Sequence, residues 1–189
     1  MLARQPLDFY PTPSLLTWAL LDSHRFVAWR NQATVLEPCN GEGAISDVLK
    51  ESGLFRLVDT ADIDETKPAA LTMDATDPGA WSRMARYDWI ITNPPYNQAP
   101  AILPLALDNC RVGMAMLLRL SYLEPCENRA RWLAEHPPAK LIVFNYHSIN
   151  DGIRDSVTSA WFIWHRFGDS QGTEIEFCTN WKTHNATNH

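Results

Sequence analysis

The chain has 189 residues, a length that fits one domain with a sizeable buried core. Its net charge of −6 does not favour binding to a polyanion such as nucleic acid. The excess of acidic over basic side chains is uneven, since residues 1–97 carry 8 basic and 13 acidic side chains while residues 98–189 carry 8 basic and 9 acidic ones. We therefore expect any surface that faces a polyanion in the second half of the chain.

The sequence shows no signal for export, membrane insertion or a metal centre. Its first residues include Arg4, Gln5 and Asp8 where a signal peptide would be apolar, and no apolar run approaches the roughly eighteen residues of a membrane span. The four cysteines form no C-x-x-C pair and the histidines lack ligand spacing, so we expect reduced thiols and no bound metal. These features predict a soluble cytoplasmic protein.

Predicted strands and helices alternate along most of the chain. Short apolar runs that end in turn residues predict strands at 33–37, 55–61, a brief stretch before Asp74, 87–92, 113–120, 141–144 and 159–167, with a further candidate at 174–178. Helical patterns fall at 14–29, 44–51, 78–85, 99–109 and 124–135. The alternation predicts an α/β fold with a mostly parallel sheet covered by helices on both faces. We expect a single domain over residues 1–189, with an N-terminal segment and helix (1–32), a sheet core (33–167) and a polar tail (168–189).

The tetrapeptide Asn93-Pro94-Pro95-Tyr96 directly follows a predicted strand. Two prolines cannot continue a strand or a helix, so the chain leaves the sheet stiffly there. The Asn93 amide oxygen and the Pro94 carbonyl, held side by side, form two acceptors for the hydrogens of a planar amino group. Tyr96 offers an aromatic face on which a flat base or amide can stack. Taken alone, the motif also fits a Pro-rich turn that closes a buried strand.

The first predicted strand ends in an acidic turn that contains glycine, Glu37-Pro38-Cys39-Asn40-Gly41-Glu42-Gly43. Its carboxylates would repel a pyrophosphate, whereas the α-ammonium group of S-adenosylmethionine suits them. The glycines allow the backbone to approach a ligand closely. The alternative is a tight turn between a strand and a helix that binds nothing.

Further acids follow the next two predicted strands, and ligands in open α/β sheets bind at such strand ends. Asp62, with Ile63 beside it, is placed to hold ribose hydroxyls, and Asp64 competes for that role. Asp74 is placed to accept from an adenine amino group, with the Ala75 N–H donating to a ring nitrogen. The alternative for each is a solvated loop acid.

The order of these motifs, with Asp8-Phe9-Tyr10-Pro11-Thr12-Pro13 ahead of them, resembles that of the S-adenosylmethionine-dependent N6-adenine DNA methyltransferases. The chain is most similar to the short forms found in bacteriophages and prophages. Residues 117–124 and 160–164 also look like the fifth and last strands of that family, so the resemblance covers most of the chain. It implies a Rossmann-like class I methyltransferase fold with a seven-stranded sheet and an antiparallel last strand, in a protein of the bacterial cytoplasm.

The resemblance implies that each motif binds a different part of the cofactor. The N-terminal residues would close over the methionine part of S-adenosylmethionine, the Glu37 turn would hold its amino-acid end, Asp62 its ribose and Asp74 its adenine. The cofactor residues implied in this way are Phe9, Tyr10, Thr12, Glu37, Pro38, Cys39, Asn40, Gly41, Gly43, Asp62, Ile63, Asp74, Ala75 and Asn93.

The same resemblance implies the reaction. The catalytic residues would be Asn93, Pro94, Pro95 and Tyr96. Asn93 and Pro94 would bind the target amine and Tyr96 would stack on an adenine flipped out of the duplex. The methyl group would pass in line to N6 without a covalent enzyme intermediate, leaving S-adenosylhomocysteine.

The predicted sheet and its helices use every segment from Ala33 to Phe167, which leaves no room for the target-recognition domain of larger family members. The basic residues that we expect to contact nucleic acid are Arg119, Arg129, Arg131 and, in a polar loop at 145–158, Arg154. The expected partner is double- or single-stranded DNA, read with relaxed or partner-dependent sequence specificity. A homodimer or an accessory subunit would add DNA affinity to the acidic chain. RNA adenine methylation, protein-glutamine methylation and a non-catalytic subunit of this fold stay open as alternatives.

Overall fold

The computed structural model describes residues 12–23, 32–124, 126–144, 158–167 and 172–178. The helices in these ranges are α1 (Ser14–Ser23), α2 (Ala44–Glu51), α3 (Pro78–Ser82), α4 (Ala99–Asn109) and α5 (Glu127–Glu135). The strands are β1 (Thr34–Glu37), β2 (Leu57–Asp62), β3 (Leu71–Thr72), β4 (Tyr87–Thr92), β5 (Cys110–Arg119), β6 (Lys140–Phe144), β7 (Ser159–His165) and β8 (Glu174–Cys178). None of these helices has the length and apolar character needed to cross a bilayer.

The strands form one sheet in the order β3-β2-β1-β4-β5-β7-β6-β8. The pairings are parallel except those of β7, which is antiparallel to both β5 and β6. The α/β fold with a mostly parallel sheet is therefore confirmed, as is the antiparallel strand near the C-terminal end.

The predicted number of seven strands is wrong, because the described residues contain eight. The additional strand is β8, which pairs parallel to β6 at the sheet edge, with Lys140 opposite Glu174. Lys140 Nζ lies 3.0 Å from Glu174 Oε1 and 2.7 Å from Glu176 Oε2, while Cys178 is buried in the core. Ion pairs and one buried thiol therefore hold in the sheet a segment that the sequence offers as a further candidate strand.

Helices cover both faces of the sheet because side chains alternate between the faces along each strand. Val35 and Trp89 belong to a core cluster that α1 and α2 cover. Their neighbours Leu36 and Ile90 belong to a second cluster, which α3 and α4 cover and against which Trp132 of α5 packs. Burial on both faces explains the nearly continuous apolar runs of the central strands.

Helix α1 is fixed to the sheet by polar contacts as well as by burial. The Trp161 Nε1–H of β7 donates to the Leu16 carbonyl (2.8 Å), and Ser23 Oγ donates to Glu176 Oε1 of β8 (2.8 Å). Leu16 and its neighbours through Leu21 are buried. The N-terminal helix is thus held by strands from the far end of the chain.

The topology brings three strand ends to one edge of the sheet. β1 pairs parallel with β2 on one side and with β4 on the other, so the carboxyl ends of all three point the same way. The strand order changes direction between β1 and β4, which is the position where open α/β sheets bind ligands. Glu37, Asp62 and Asn93 lie at or directly after these three ends.

Candidate active site

The turn after β1 depends on two glycines with left-handed backbone conformations. Gly41 has φ 53° and Gly43 has φ 89°, values that other residues rarely adopt. The Gly43 N–H donates to the Asn40 carbonyl (2.9 Å), and Gly43 then begins α2 as its N-cap. The glycines therefore let the chain leave β1 and enter α2 within a few residues.

Asn40 joins this turn to two neighbouring segments. Its side chain accepts from Ser46 Oγ of α2 (2.7 Å) and donates to the Pro68 carbonyl (3.0 Å), and its backbone N–H donates to the Ala61 carbonyl (3.0 Å). The residue is only 3% exposed, so these bonds are shielded from water. Asn40 thus fixes the turn, the end of β2 and the loop before β3 relative to one another.

Glu37 is a buried acid whose charge is not balanced within the described part of the chain. It is 1% exposed, and no described group donates to its Oε2 atom. Burial raises the pKa of Glu37 well above its ordinary value, and the nearby Ser46 and Lys50 oppose that shift only in part. A buried carboxyl oxygen without a partner is costly unless a ligand pairs with it. The Glu37 carboxylate is therefore suited to bind a cationic group.

Asp62, at the end of β2, is oriented by two backbone groups. Its Oδ2 accepts from the Gly41 N–H (2.7 Å) and its Oδ1 from the Asp64 N–H (2.9 Å). Asp64 instead accepts from the backbone N–H (3.0 Å) and hydroxyl (2.7 Å) of Thr66, which lower its pKa. The two acids thus differ in role, since Asp62 joins the strand end to the glycine turn whereas Asp64 stabilises its own loop. Ile63 between them is 51% exposed.

Asp74 lies beside Asp62 because the Met73 N–H donates to the Asp62 carbonyl (2.8 Å). Asp74 Oδ1 accepts from the backbone N–H (2.8 Å) and the hydroxyl (2.7 Å) of Thr76. The next residue, Ala75, is buried, and its carbonyl accepts from the indole of Trp81 (2.9 Å). The segment 73–75 is therefore held rigidly next to the end of β2.

The thiol of Cys39 lies among these acids. Burial is the main reason that the pKa of Cys39 is raised, to about 12. The negative charges of Asp62, Glu37 and Asp74 add to this shift, so all three are close enough to act on one sulfur atom. The thiol stays protonated at neutral pH and is no nucleophile. The described residues contain no group of three side chains arranged to hold a metal ion.

Asn93 and the two prolines leave β4 next to this acidic region. Pro94 is buried while Asn93 and Tyr96 are half-buried. The Pro95 carbonyl accepts from the N–H groups of Gln98 (2.9 Å) and Ala99 (3.0 Å), which turns the chain into α4. The motif therefore lies between the end of β4 and the start of α4.

The Asn93 amide has a partner in the N-terminal segment. Its Nδ2 donates to Thr12 Oγ1 at 3.0 Å. Thr12 is 7% exposed and lies just ahead of α1. The structure thus brings Thr12 to the end of β4, while Phe9 and Tyr10 lie outside the described residues.

Of the predicted nucleic-acid contacts, Arg119 lies at the site. It ends β5, and its guanidinium carbon is 4.8 Å from the centre of the Tyr96 ring. Arg129 instead packs over Tyr122 at 5.0 Å and donates to the Glu124 carbonyl (2.6 Å). Arg131 is exposed and pairs with a glutamate one helical turn away (3.4 Å). Arg154 lies outside the described residues.

Two contributors were missed by the sequence reasoning. Ser46 is a polar residue on the buried face of α2, a position that signals a hydrogen-bonding role. Lys67 pairs with Glu42 at 2.5 Å and so connects the loop before β3 to the glycine turn. Nothing in the spacing of Lys67 and Glu42 predicts that pair.

Comparison by sequence finds no match, since neither a protein-family model nor a curated protein corresponds to the chain. Comparison by structure finds many. One is a protein assigned to the class I S-adenosylmethionine-dependent methyltransferases, from Listeria monocytogenes, with a TM-score of 0.65 and 9% identity. The alignment covers 90% of this chain and 66% of that one.

Two further structures are similar at comparable levels. A protein assigned as a modification subunit of a type I restriction enzyme, from Vibrio vulnificus YJ016, has a TM-score of 0.63 and 13% identity over 90% of this chain and 47% of its own. The rRNA methyltransferase AviRa from Streptomyces viridochromogenes has a TM-score of 0.58 and 14% identity over 84% and 86%. The fold is that of the class I S-adenosylmethionine-dependent methyltransferases, as the resemblance implies.

Proposed function

We propose that the chain is an S-adenosylmethionine-dependent methyltransferase that acts on the N6 amino group of adenine in DNA. The observation that carries the proposal is the position of Asn93 and Pro94 directly after β4, next to the Glu37 turn at the end of the adjacent strand β1. An acceptor for an amino group and an acceptor for a cation thus lie side by side. The similar structure assigned as a modification subunit of a type I restriction enzyme supports DNA as the substrate.

The residues at the ends of β1 and β2 fit the cofactor. Glu37 Oε2 is buried and lacks a described donor, and the α-ammonium group would supply one together with the missing positive charge. Gly41 and Gly43 add no side chains that would keep a ligand from the backbone. When bound, S-adenosylmethionine supplies an activated sulfonium methyl group.

The nucleoside part of the cofactor fits the next two strand ends. Asp62 is already oriented by two N–H donors, and each carboxylate oxygen keeps lone-pair capacity for a ribose hydroxyl. Ile63 exposes an apolar side chain beside it, which suits the face of a purine. Asp74 uses Oδ1 for Thr76, so Oδ2 can accept from an exocyclic amine.

Asn93 and Pro94 would act on the target amine through their carbonyl oxygens. Both oxygens accept hydrogens from the amino group, which turns its lone pair out of conjugation with the ring and makes the nitrogen more nucleophilic. Both prolines limit movement of these acceptors, so little reorganisation is needed during the reaction. Tyr96 would stack on the flipped base.

Arg119 supplies positive charge where the nucleic acid would enter. Its guanidinium covers one face of the Tyr96 ring at 4.8 Å. A base that stacks on this tyrosine would lie across the ring from Arg119, whose positive charge attracts the phosphates of the strand. Flipping the base costs a few kcal/mol of unstacking and unpairing. Contacts of this kind offset part of that cost.

The decisive experiment offers several substrates in parallel. The protein is incubated with isotopically labelled S-adenosylmethionine and double-stranded DNA, single-stranded DNA, RNA or protein extract at low salt. The products are digested and analysed by mass spectrometry for labelled N6-methyladenine and methylglutamine. We expect label in adenine of DNA, with Asn93→Ala reducing transfer by at least about a hundredfold, as for loss of a transition-state hydrogen-bond group.

The other outcomes separate the alternatives. Label in RNA adenine alone would move the substrate to RNA, which the likeness to an rRNA methyltransferase makes the second candidate. Label in glutamine alone would replace nucleic acid by protein. Cofactor binding without transfer to any substrate would indicate a non-catalytic subunit and refute the proposal.

A further inference from the structure

The side chain of Asn40 is engaged on both its oxygen and its nitrogen by the protein itself. Its Nδ2 donates to the Pro68 carbonyl (3.0 Å) and, at a longer distance, to the Gly41 carbonyl (3.5 Å). Its Oδ1 accepts from the Ser46 hydroxyl (2.7 Å), and the residue is only 3% exposed. Asn40 differs in this respect from Glu37, whose buried Oε2 has no partner in the described part of the chain.

The orientation of the Asn40 amide is set by carbonyl oxygens, which can only accept hydrogen bonds. Turning the amide by half a turn would place its oxygen against the Pro68 carbonyl, acceptor to acceptor. The Ser46 hydroxyl can donate or accept, so it adapts to the orientation that Pro68 selects. With Nδ2 at Pro68, the hydroxyl donates to Asn40 Oδ1.

The peptide group between Asn40 and Gly41 also directs the Asp62 carboxylate. The Gly41 N–H donates to Asp62 Oδ2 (2.7 Å), and the Asn40 carbonyl of the same peptide accepts from the Gly43 N–H (2.9 Å). The Asn40 N–H donates to the carbonyl of Ala61, the residue directly before Asp62 (3.0 Å). Because a peptide group is planar, holding Asn40 in place also fixes the direction of the Gly41 N–H.

We propose that Asn40 is a positioning residue that holds this peptide group, so that the Gly41 N–H keeps the Asp62 carboxylate directed at the ribose hydroxyls of the cofactor. The Asn40 side chain itself does not contact the cofactor. The inference rests on the proposed function for the identity of the ligand, but the bond from Gly41 to Asp62 can be observed in the empty protein. Removing the Asn40 side chain should therefore weaken recognition of the ribose hydroxyls more than recognition of the rest of the nucleoside.

The first test separates the ribose hydroxyls from the rest of the nucleoside. Binding of adenosine and of 2′,3′-dideoxyadenosine to the full chain is measured by NMR titration. We expect the native chain to bind adenosine at least about tenfold more tightly, as for hydroxyl groups that donate to a carboxylate, and Asp62→Ala to lose this preference. Asn40→Ala should reduce the preference to about threefold or less. No preference in the native chain, or an equal weakening of both ligands in Asn40→Ala, would overturn the proposal.

Ser46→Ala is a second variant that acts on the same contact. It removes the donor to Asn40 Oδ1 and leaves the bond to Pro68 in place. Nucleosides lack the amino-acid end of the cofactor, so the effect of Ser46 on Glu37 does not enter the measurement. We expect the double variant Asn40→Ala with Ser46→Ala to have the same preference for adenosine as Asn40→Ala alone, because both changes remove one shared bond. Losses that add in full would overturn the proposal, since Asn40 would then act without its partner.

The second test needs no ligand. An amide proton that is bonded to a carboxylate senses the loss of that charge, so the assigned nitrogen-15 NMR signal of Gly41 should move in Asp62→Ala. We expect Asn40→Ala to move the Gly41 signal in the same direction. A Gly41 signal that stays in its native position in Asn40→Ala would overturn the proposal.

Asn109→Ala is the matched control. The Asn109 side chain makes the same kind of bond, from Nδ2 to the Leu105 carbonyl (2.8 Å), but it lies at the end of α4 directly before β5, at the opposite edge of the sheet. The same substitution there should change neither the preference nor the Gly41 signal, and thermal unfolding of each variant checks that it folds. If the native chain binds neither S-adenosylmethionine nor adenosine, the proposed function fails, and the Gly41 signal alone then decides whether Asn40 directs Asp62.

Discussion

Replacing Glu37 by glutamine is expected to weaken cofactor binding while leaving the empty protein as stable as before or more so. The substitution keeps the shape of the side chain and removes its charge. In the empty protein that charge is unfavourable, because the carboxyl is 1% exposed and burial raises its pKa. With the α-ammonium group bound, the same charge becomes half of an ion pair.

The magnitude follows from the interaction removed. A hydrogen bond to a charged group contributes about 1.5–3 kcal/mol, so the dissociation constant of Glu37→Gln for S-adenosylmethionine should rise about ten- to 150-fold. Binding to the native protein should also strengthen as pH rises through the raised pKa of Glu37, because only the ionised carboxylate pairs with the cation. The glutamine variant should lack this dependence.

Stability of the empty protein should show the opposite trend with pH. A folded-state pKa above the unfolded value means that the folded chain binds more protons between the two values, so stability falls as pH rises through that window. Glu37→Gln should remove this fall.

Isothermal titration calorimetry and thermal unfolding between pH 5 and 8 measure both trends, with the exposed Glu51→Gln as control. A variant that binds the cofactor normally but unfolds more readily would make Glu37 a structural residue and refute the reasoning.

Three further substitutions test other parts of the structure. Arg119→Met should weaken binding of a short oligonucleotide roughly fivefold, for loss of about 1 kcal/mol of charge and stacking, whereas the exposed Arg131→Met should have little effect. Equal losses in fluorescence anisotropy would place the nucleic acid elsewhere. Gly113→Ala should cost about 1–3 kcal/mol by overpacking, because the added methyl would come within 2.8 Å of Trp89 Cζ3, and an unchanged melting temperature would contradict that packing. Lys140→Met should lower the free energy of unfolding by about 1–3 kcal/mol, seen as a lower urea midpoint, because it leaves two glutamates of β8 without their cation. An unchanged midpoint would show that β8 does not depend on this lysine.

The sequence predicts the central architecture because its signals are local. Turn residues after β1 and β4 must follow closely on the strands that they end, so Pro38 and Pro94 mark those ends in the sequence as clearly as in the structure. Asp62 likewise follows a predicted strand in the sequence, and in the structure it is the last residue of β2.

Contacts between distant segments could not be predicted in this way. The pairing of β8 depends on Lys140, more than thirty residues earlier in the chain, and the contact of Thr12 with Asn93 depends on how α1 lies on the sheet. The contact of Arg129 with Tyr122 likewise depends on how α5 packs on the protein. No residue of that helix is fully buried, so the sequence pattern does not show which side of the helix faces the core. Periodicity identifies elements but not the rotation or docking of each one.

The docking of α1 against β7 and β8 also has a consequence for how the site is made during synthesis. Leu16 needs Trp161, and Ser23 needs Glu176, which is 153 residues later in the chain. A growing chain that lacks β7 and β8 can form the central strands and the acidic turn, but it lacks these two polar contacts to α1. The contacts that hold α1, and with it Thr12 beside Asn93, can therefore form only after β7 and β8 have been synthesised.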